Sequence, residues 1–290
     1  MAVLPGAVAF ASAAAAESRR PGPPAAKIRL SCNLYSLNEP LTKGTMKLEE
    51  ALDFCAELGF DAVDPTGYYF PGYPEAPPDR YLYGIKKRAF RLGLDISGTG
   101  VRNDFTSADA AKRSADVLLV KKWVDVAVKL RAPAVRVFAG PPVAEGRSEA
   151  QAIDQVVTHI KDCVAYAAER GVFVVLQHHD DILKTATQTL AVHERIGSEW
   201  FGLNVYIGSL RTTDDPYAEI VRLAPFAYTW QFKEQVYRKG VVEETDVGRI
   251  VKILRETAYR GYIPLETLGA GDPRPKLRAF VDRVRSAMAS

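Results

Sequence analysis

The sequence has little cysteine, with Cys32, Cys55 and Cys163 as the three residues of this type in 290. They are odd in number, far apart along the chain, and none forms a CxxC pair. This pattern argues against a disulfide framework and against a zinc knuckle. We therefore expect the three thiols to be small buried side chains in the protein core.

The sequence also lacks the glycine motifs of nucleotide-binding folds, because no GxGxxG or GxxxxGK[ST] opens a predicted helix. Its charge is nearly balanced, since 38 basic and 35 acidic residues are interspersed and leave a net charge of +3. A nucleic-acid interface normally shows a concentration of basic residues on one segment or face. We therefore expect no nucleic-acid partner for this protein.

Long hydrophobic runs are missing as well, since no stretch reaches the roughly 18 apolar residues of a membrane span. The N-terminal segment is rich in alanine, and its Ala14 to Ala16 resembles the A-x-A site of signal peptidase. A proline-rich linker follows it and ends at Ala26. We predict an export-like leader, with a signal-peptide character, over residues 1–26 and an exported or periplasmic protein. A leader without a targeting role, on a cytoplasmic protein, is the alternative.

From Lys27 onward, short apolar runs rich in β-branched residues alternate with amphipathic helical segments, which is typical of a parallel α/β fold. Eight such units fit in the chain, and the missing glycine motifs favour a closed barrel over an open sheet. We predict an α/β protein with a single (β/α)₈ TIM barrel over residues 27–290. The predicted strands are 28–33, 62–65, 94–98, 133–138, 172–176, 202–207, 227–232 and 262–265. The predicted helices are 47–58, 80–92, 110–130, 149–170, 184–196, 217–223, 247–258 and 273–287.

Polar side chains follow several of the predicted strands, at the barrel end where reactive groups of such folds lie. Their convergence on one mouth predicts a polar cavity that takes a small sugar or polyol. The candidate ligand-binding residues are Gln177, Gln231, Arg211, Arg136 and Tyr68. Structural roles are an alternative: Arg136 can form a buried ion pair, and the aromatic loop that carries Tyr68 can pack on itself.

Seven segments of the chain resemble landmarks of the xylose-isomerase-like superfamily, which includes sugar phosphate isomerases, epimerases and endonuclease IV. They are SCNLYSL, LEEALDFCAELGFDAVD, PAVRVFAG, GVFVVLQHH, FGLNVYIGS, WQFKE and GYIPLETLG. The resemblance covers about residues 27 to 287 and rests on the order and spacing of these segments together. It implies a TIM barrel that acts as an isomerase or epimerase in carbohydrate metabolism. It is compatible with either a monomer or a homo-oligomer.

The resemblance also implies a divalent cation, Mn²⁺ or Mg²⁺, held by Glu, Asp, His and Glu after strands five to eight. These positions fall on Gln177, Tyr206, Gln231 and Glu266, so that Glu266 alone matches the family pattern. An amide oxygen binds a hard cation weakly, and a neutral phenol is a poor ligand. We therefore expect a degraded metal site in which cation affinity is much reduced or lost.

The remaining candidates for catalysis are Glu266, His179 and Glu234 as acid or base, and Lys233 as a stabiliser of negative charge. Adjacent strand residues point to opposite faces, so one of His178 and His179 faces the mouth, and the family's E-N-H motif selects His179. Glu266 and His179 could exchange a proton with the substrate while Lys233 stabilises an enediolate. The loss of three ligands favours another hypothesis, a non-catalytic carbohydrate-binding barrel or assembly subunit. A third hypothesis is a hydrolase or lyase that acts on glycosides.

Overall fold

A computed structural model describes residues 26–179, 181–269 and 271–290 of the chain. The predicted leader, apart from Ala26, lies outside these described residues. None of the helices in the described ranges combines the length and apolar character that a bilayer span requires. All three cysteines are buried free thiols, as the sequence predicts.

The described elements alternate between strands and helices along the chain. The strands are β1 (Lys27–Asn33), β2 (Ala62–Asp64), β3 (Asp95–Ile96), β4 (Thr99–Gly100), β5 (Ala134–Phe138), β6 (Phe173–Gln177), β7 (Phe201–Tyr206), β8 (Ala227–Lys233), β9 (Gln235–Arg238), β10 (Val241–Glu244) and β11 (Arg260–Glu266). The helices are α1 (Asn38–Thr42), α2 (Leu48–Glu57), α3 (Asp79–Arg91), α4 (Ala110–Leu130), α5 (Glu149–Ala168), α6 (Ala186–Ile196), α7 (Pro216–Leu223), α8 (Val247–Glu256) and α9 (Pro273–Ala289).

Nine of these strands form one sheet in the order β3-β2-β1-β11-β8-β7-β6-β5-β4, with parallel pairing throughout. In place of the third predicted strand, 94–98, the structure has two short strands, β3 and β4, which lie at the two ends of this order. β4 begins one residue beyond the predicted end. An isolated parallel bridge joins Gly100 of β4 to Thr66, two residues after β2. The sheet is thus a nearly closed barrel, and the predicted TIM barrel is confirmed.

The helices cover the outside of the barrel with apolar faces, as α4 illustrates. Its buried residues include Val117, Val120, Val124 and Ala127, a spacing of three or four that places them on one face. The Asp109 side chain caps its first turn by accepting a hydrogen bond from the Ala111 amide at 2.8 Å. The local sequence therefore sets both the start of this helix and the side that packs on the strands.

A β-hairpin formed by β9 and β10 follows the seventh barrel strand, and the sequence analysis does not predict it. Lys239 and Gly240 form its two-residue turn with φ of 48° and 81°, as a type I′ turn requires. The Gly240 amide donates a hydrogen bond of 2.7 Å to the carbonyl oxygen of Arg211. The hairpin is therefore fastened to the loop after β7, at the mouth of the barrel.

Candidate active site at the barrel mouth

Four barrel strands end in residues that the sequence analysis places at the mouth. Gln177 is the last residue of β6, Tyr206 of β7, Lys233 of β8 and Glu266 of β11. In the strand register Glu266 pairs with Lys233, and Tyr206 pairs with Gln231. Gln231 and Lys233 are two residues apart on one strand, so their side chains share the barrel face. The fold thereby brings these groups together.

These side chains line a cavity of about 750 Å³ at the carboxyl ends of the strands. All of the ligand-binding and catalytic candidates from the sequence contribute to its wall. They are Glu266, His179, Lys233, Gln177, Gln231, Arg211, Arg136 and Tyr68. Tyr206, which replaces the expected aspartate, also lines it. The volume suits a ligand the size of a monosaccharide or somewhat larger.

Glu266 is the most deeply placed ionisable group of this cavity, with 1% of its surface exposed. Its Oε1 accepts a hydrogen bond from the Tyr206 hydroxyl at 3.4 Å, and its Oε2 accepts one from the Gln231 amide. Burial raises the pKa of Glu266 to about 7, although Lys233 and Arg136 oppose this shift. The carboxyl group therefore exchanges a proton in the neutral range, where general acid–base catalysis is efficient.

Lys233 lies beside this pair, with its Nζ 3.3 Å from the Tyr206 hydroxyl oxygen. It is 4% exposed, and burial lowers the pKa of its ammonium group while Glu266 raises it. Glu266, Tyr206 and Lys233 thus form one chain of polar contacts along the cavity wall. Such a chain places a positive donor near a carboxyl group that can take up a proton.

The two adjacent histidines have different surroundings. His178 is fully buried, where its Nδ1 is 2.6 Å from the Ser209 hydroxyl and its Nε2 accepts a hydrogen bond from the Tyr206 amide. His179 lines the cavity and stacks on the Tyr206 ring, with 5.3 Å between ring centroids. Partial desolvation at the cavity wall and the nearby cations lower the pKa of His179 to about 4, although the residue keeps exposed surface. Its imidazole is therefore neutral at pH 7.

Arg136 belongs both to the cavity wall and to a buried ion pair. Its Nη1 lies 2.9 Å from Asp64 Oδ2, and its Nη2 donates to the Thr66 hydroxyl at 2.8 Å. Gly100 permits this crossing, because a Cβ atom there would approach Arg136 to 3.1 Å. The structural ion pair that the sequence analysis left open is therefore formed, and Arg136 still contributes positive charge to the cavity.

The aromatic loop after β2 packs on itself and also reaches the cavity. The Tyr68 ring contacts Tyr69 edge-on at a centroid distance of 4.6 Å and Tyr73 at 6.3 Å. Tyr68 nevertheless lines the cavity, and the Arg102 guanidinium lies 5.9 Å from its ring centroid. The loop is therefore self-packed, as one alternative from the sequence analysis has it, and it also places one aromatic side chain in the cavity wall.

Two contributors to the site are missed by the sequence analysis. Asp181 lines the cavity, and burial raises its pKa to about 7. Its Oδ1 accepts a hydrogen bond from the Leu183 amide at 2.8 Å. Tyr237 of the unpredicted hairpin lies under Arg211, with 4.5 Å from the guanidinium to the ring centroid. Neither the place of Asp181 in the cavity wall nor the contact between Tyr237 and Arg211 is indicated by a local sequence pattern.

The four positions at which the family holds a cation present two amides, a phenol and one carboxylate. Both oxygens of Glu266 already accept hydrogen bonds from Tyr206 and Gln231, and the Lys233 ammonium lies at the same place. Within the described ranges no three His, Cys, Asp or Glu side chains group in a way that could hold a metal ion. These donors do not fit the set of charged oxygens that a divalent cation prefers.

Comparison with known proteins agrees with the fold. The family model described as xylose isomerase-like TIM barrel matches residues 52–286. The chain therefore belongs to the xylose isomerase-like TIM barrel family. No curated protein sequence matches it significantly.

Several solved structures share the fold at low sequence identity. D-psicose 3-epimerase with D-tagatose from Clostridium cellulolyticum H10 is 13% identical, with a TM-score of 0.73 over 90% of this chain and 99% of that one. The 3-keto-D-glucoside 4-epimerase from E. coli is 14% identical, with a TM-score of 0.70 over 90% and 99%. A xylose isomerase-like TIM barrel protein from Mycobacterium smegmatis in complex with magnesium is 17% identical, with a TM-score of 0.68 over 90% and 97%.

Proposed function

We propose that this protein is a sugar or polyol isomerase or epimerase that transfers a proton at the barrel mouth without a tightly bound metal ion. The observation that carries the proposal is the position of Glu266, buried on the cavity wall between the Tyr206 hydroxyl and the Gln231 amide. The family membership and the epimerases among the structural neighbours support the same kind of reaction.

Glu266 is the base in this proposal. Its carboxylate removes a proton from the carbon next to the substrate carbonyl, and the carboxylic acid returns it to the former carbonyl carbon while a hydroxyl proton moves between the two oxygen atoms, which isomerises the sugar. Inversion at the same carbon requires a second acid, which delivers the proton to the opposite face. A pKa of about 7 suits both directions, because neither the acid nor the base form is scarce at neutral pH. Tyr206 and Gln231 hold the carboxyl group in place through their hydrogen bonds.

Lys233 and His179 stabilise the negative charge that develops on the carbonyl oxygen. The Lys233 ammonium is a fixed positive donor in a buried site, where such an interaction is stronger than in water. His179 is too weak a base to share the work of Glu266, because its pKa is about 4. Its neutral imidazole instead acts as a hydrogen-bond donor to the oxyanion or to a hydroxyl group.

Two amides supply acceptors for substrate hydroxyl groups. Oε1 of Gln177 and Oε1 of Gln231 are buried and have no hydrogen-bond partner within the described part of the chain. Both side chains line the cavity. A buried amide oxygen is costly to leave unpaired, so a polyhydroxylated ligand that donates to both is favoured. Where the family uses charged ligands for a cation, these residues bind the substrate directly.

A carbohydrate-binding barrel without catalytic activity is the second candidate. The observation in its favour is the donor set at the family's metal positions, where Gln177, Tyr206 and Gln231 are neutral. If catalysis depended on the cation, replacement of its charged ligands by these neutral residues would abolish activity. The sugar-sized cavity would remain. The two candidates differ in one measurable property, the removal of a proton from a bound sugar.

Exchange of substrate protons with D₂O, followed by NMR on a panel of aldoses and ketoses, tests the proposal. The native protein should introduce deuterium next to the carbonyl of at least one sugar. Glu266→Gln should slow this exchange by about 100-fold or more, and His179→Ala by a smaller factor. Glu256→Gln, which changes a side chain with 61% exposure, is the control. Full exchange in both site variants, or none in the native protein, would reject the assignment.

A further inference from the structure

Helix α3 presents two aromatic side chains to solvent on its outer side. Tyr83 and Phe90 lie seven residues apart, a spacing that places both on one face of the helix. Phe90 is 84% exposed, which is the largest fraction among the large apolar side chains of the described ranges, and Tyr83 is 49% exposed. Neighbouring exposed aromatic side chains are typical of an interaction surface.

Both aromatic side chains line a groove of about 740 Å³. The groove also includes Arg29, near the start of β1, and Asp95, the first residue of β3. Arg131, which directly follows the last residue of α4, lies on the same groove. Strands begin and helices end at this side of the barrel, so the groove is at the opposite end from the mouth.

Positive side chains outnumber negative ones in this groove. Its charged lining residues in the described ranges are four cations and one carboxylate: Arg29, Lys86, Lys87, Arg131 and Asp95. The carboxylate of Asp95 pairs with Arg29 at 3.4 Å. No carboxylate of residues 26–179, 181–269 or 271–290 lies within ion-pair distance of the other three cations. Lys86 Nζ donates to the carbonyl oxygen of Lys129 at 3.1 Å, an acceptor that leaves its charge in place.

The charge of the groove decides among the possible occupants. Residues 1–25 contain Arg19 and Arg20 against one acidic residue, Glu17, so this segment would add like charge. A second copy related by twofold symmetry would bring the same cations against each other, which is unfavourable. A lipid surface is flat and does not fill a groove, and a nucleic acid normally contacts a longer row of cations along its backbone. An acidic polypeptide segment fits both the shape and the charge.

We propose that this groove binds an acidic segment of a partner protein that carries an aromatic or large aliphatic anchor. The anchor packs beside Phe90 and Tyr83, and burial of these apolar surfaces supplies most of the affinity. Carboxylates of the segment pair with Lys87 and Arg131, which steers the partner to the groove and fixes its register. The inference does not depend on the proposed reaction, because the mouth lies at the other end of the barrel.

Fluorescence anisotropy with matched labelled peptides tests the inference. The probes are the acidic peptide EDWEEFDE, its amide counterpart QNWQQFNQ and its basic counterpart KRWKKFRK. The acidic peptide should bind about tenfold or more tightly than the amide peptide, since it adds charge-assisted contacts to the same two aromatic anchors. The basic peptide should bind more weakly than the amide peptide, and added salt should weaken binding of the acidic one.

Substitutions then locate the contact. Phe90→Gln should lower the affinity for the acidic peptide about tenfold through loss of the apolar contact, and Lys87→Glu should do so through charge repulsion. Leu118→Gln, at a 64% exposed position of α4, and Lys161→Glu, at an exposed position of α5, are the matched controls outside the groove lining. Both controls should bind like the native protein. All four side chains are exposed, so the variants should fold normally, which thermal unfolding checks.

Equal affinity for the acidic and amide peptides would overturn the inference. So would binding of the acidic peptide that Phe90→Gln and Lys87→Glu leave unchanged. Vesicles of phosphatidylglycerol and phosphatidylcholine, and an oligodeoxythymidylate, test the other anionic partners. Binding of either that is lost in Lys87→Glu, without binding of the acidic peptide, would reject a protein partner. Sedimentation equilibrium tests a second copy, and a native dimer that Phe90→Gln converts to a monomer would likewise contradict the inference.

Discussion

The Tyr206 hydroxyl donates a hydrogen bond to Glu266 across the barrel mouth, with 3.4 Å between the phenol oxygen and Oε1. By family resemblance, both positions would hold the same cation. Here a neutral phenol bonds the one remaining carboxylate, and the Lys233 ammonium lies 3.3 Å from the phenol oxygen. The side chains of this site thus interact with one another at the positions where the family resemblance implies carboxylates and an imidazole around a metal ion.

The buried carboxyl group of Glu266 should make protein stability depend on pH. Its pKa is raised from 4.5 to about 7, so the folded state disfavours the charged form. Relative to Glu266→Gln, the native protein is most stable below pH 4.5 and loses stability as the pH rises through 7. A shift of this size corresponds to about 3 kcal/mol as an upper bound.

Urea denaturation of both proteins between pH 4.5 and pH 8.5 measures this effect. Taking the difference between the two proteins removes the contribution of other titrating groups, such as Asp181 and His178. Parallel stability curves for the native protein and Glu266→Gln would show that the environment of Glu266 does not disfavour its ionised form.

The buried ion pair between Arg136 and Asp64 should be important for stability. Asp64→Ala leaves the Arg136 guanidinium buried without its carboxylate, which typically costs about 3–5 kcal/mol. Asp154→Ala removes the partner of Arg195 at the surface and should cost about 1 kcal/mol or less. The free energy of unfolding from urea titration compares the two. Similar losses for both variants would contradict the buried role of the Arg136 pair.

The loop that presents Tyr68 should depend on close packing at Gly67. A Cβ atom at Gly67 would approach the buried Trp123 ring to 2.5 Å, so Gly67→Ala should destabilise the protein by about 1–3 kcal/mol. Gly84 in helix α3 has no heavy atom within 4 Å of such a Cβ, and Gly84→Ala should stabilise by about 0.5–1 kcal/mol. Thermal unfolding of the two variants should therefore shift in opposite directions, and shifts of the same sign would be inconsistent with this packing.

Restoring acidic groups at the family's ligand positions should create cation affinity. The double variant Gln177→Glu/Tyr206→Asp supplies three carboxylates where the native chain has Glu266, and charged oxygens are the ligands that Mn²⁺ prefers. We expect its affinity for Mn²⁺ to exceed that of the native protein by about tenfold or more. Tyr206→Phe removes the hydroxyl group without adding charge and should show no such gain.

The barrel is readily predicted from the sequence, because apolar strands and amphipathic helices carry local patterns of different period. The third strand is the exception, because the stretch 95–100 contains Gly98 and Gly100 and pairs as two short strands, β3 and β4. The predicted strand ends at residue 98 and does not include β4. The hairpin is missed because its turn is Lys239-Gly240, which is not among the familiar turn pairs.

The position of the candidate site follows from strand order, since the carboxyl ends of parallel strands meet at one mouth. The electrostatics of the site do not follow from strand order. The raised pKa values of Glu266 and Asp181 result from burial. The lowered pKa of His179 results from partial desolvation at the cavity wall and from cations distant in sequence. No local pattern encodes such neighbours. The pairing of Arg136 with Asp64 likewise joins residues 72 positions apart.

The central claim is that the barrel mouth works without a tightly bound divalent cation. Calorimetric titration of the native, chelator-treated protein with Mn²⁺ and Mg²⁺, together with elemental analysis of the protein as purified, tests it most directly. The account predicts less than stoichiometric metal in the purified protein and no saturable binding at micromolar concentrations of either ion. One equivalent of tightly bound metal, lost in Glu266→Gln, would contradict it.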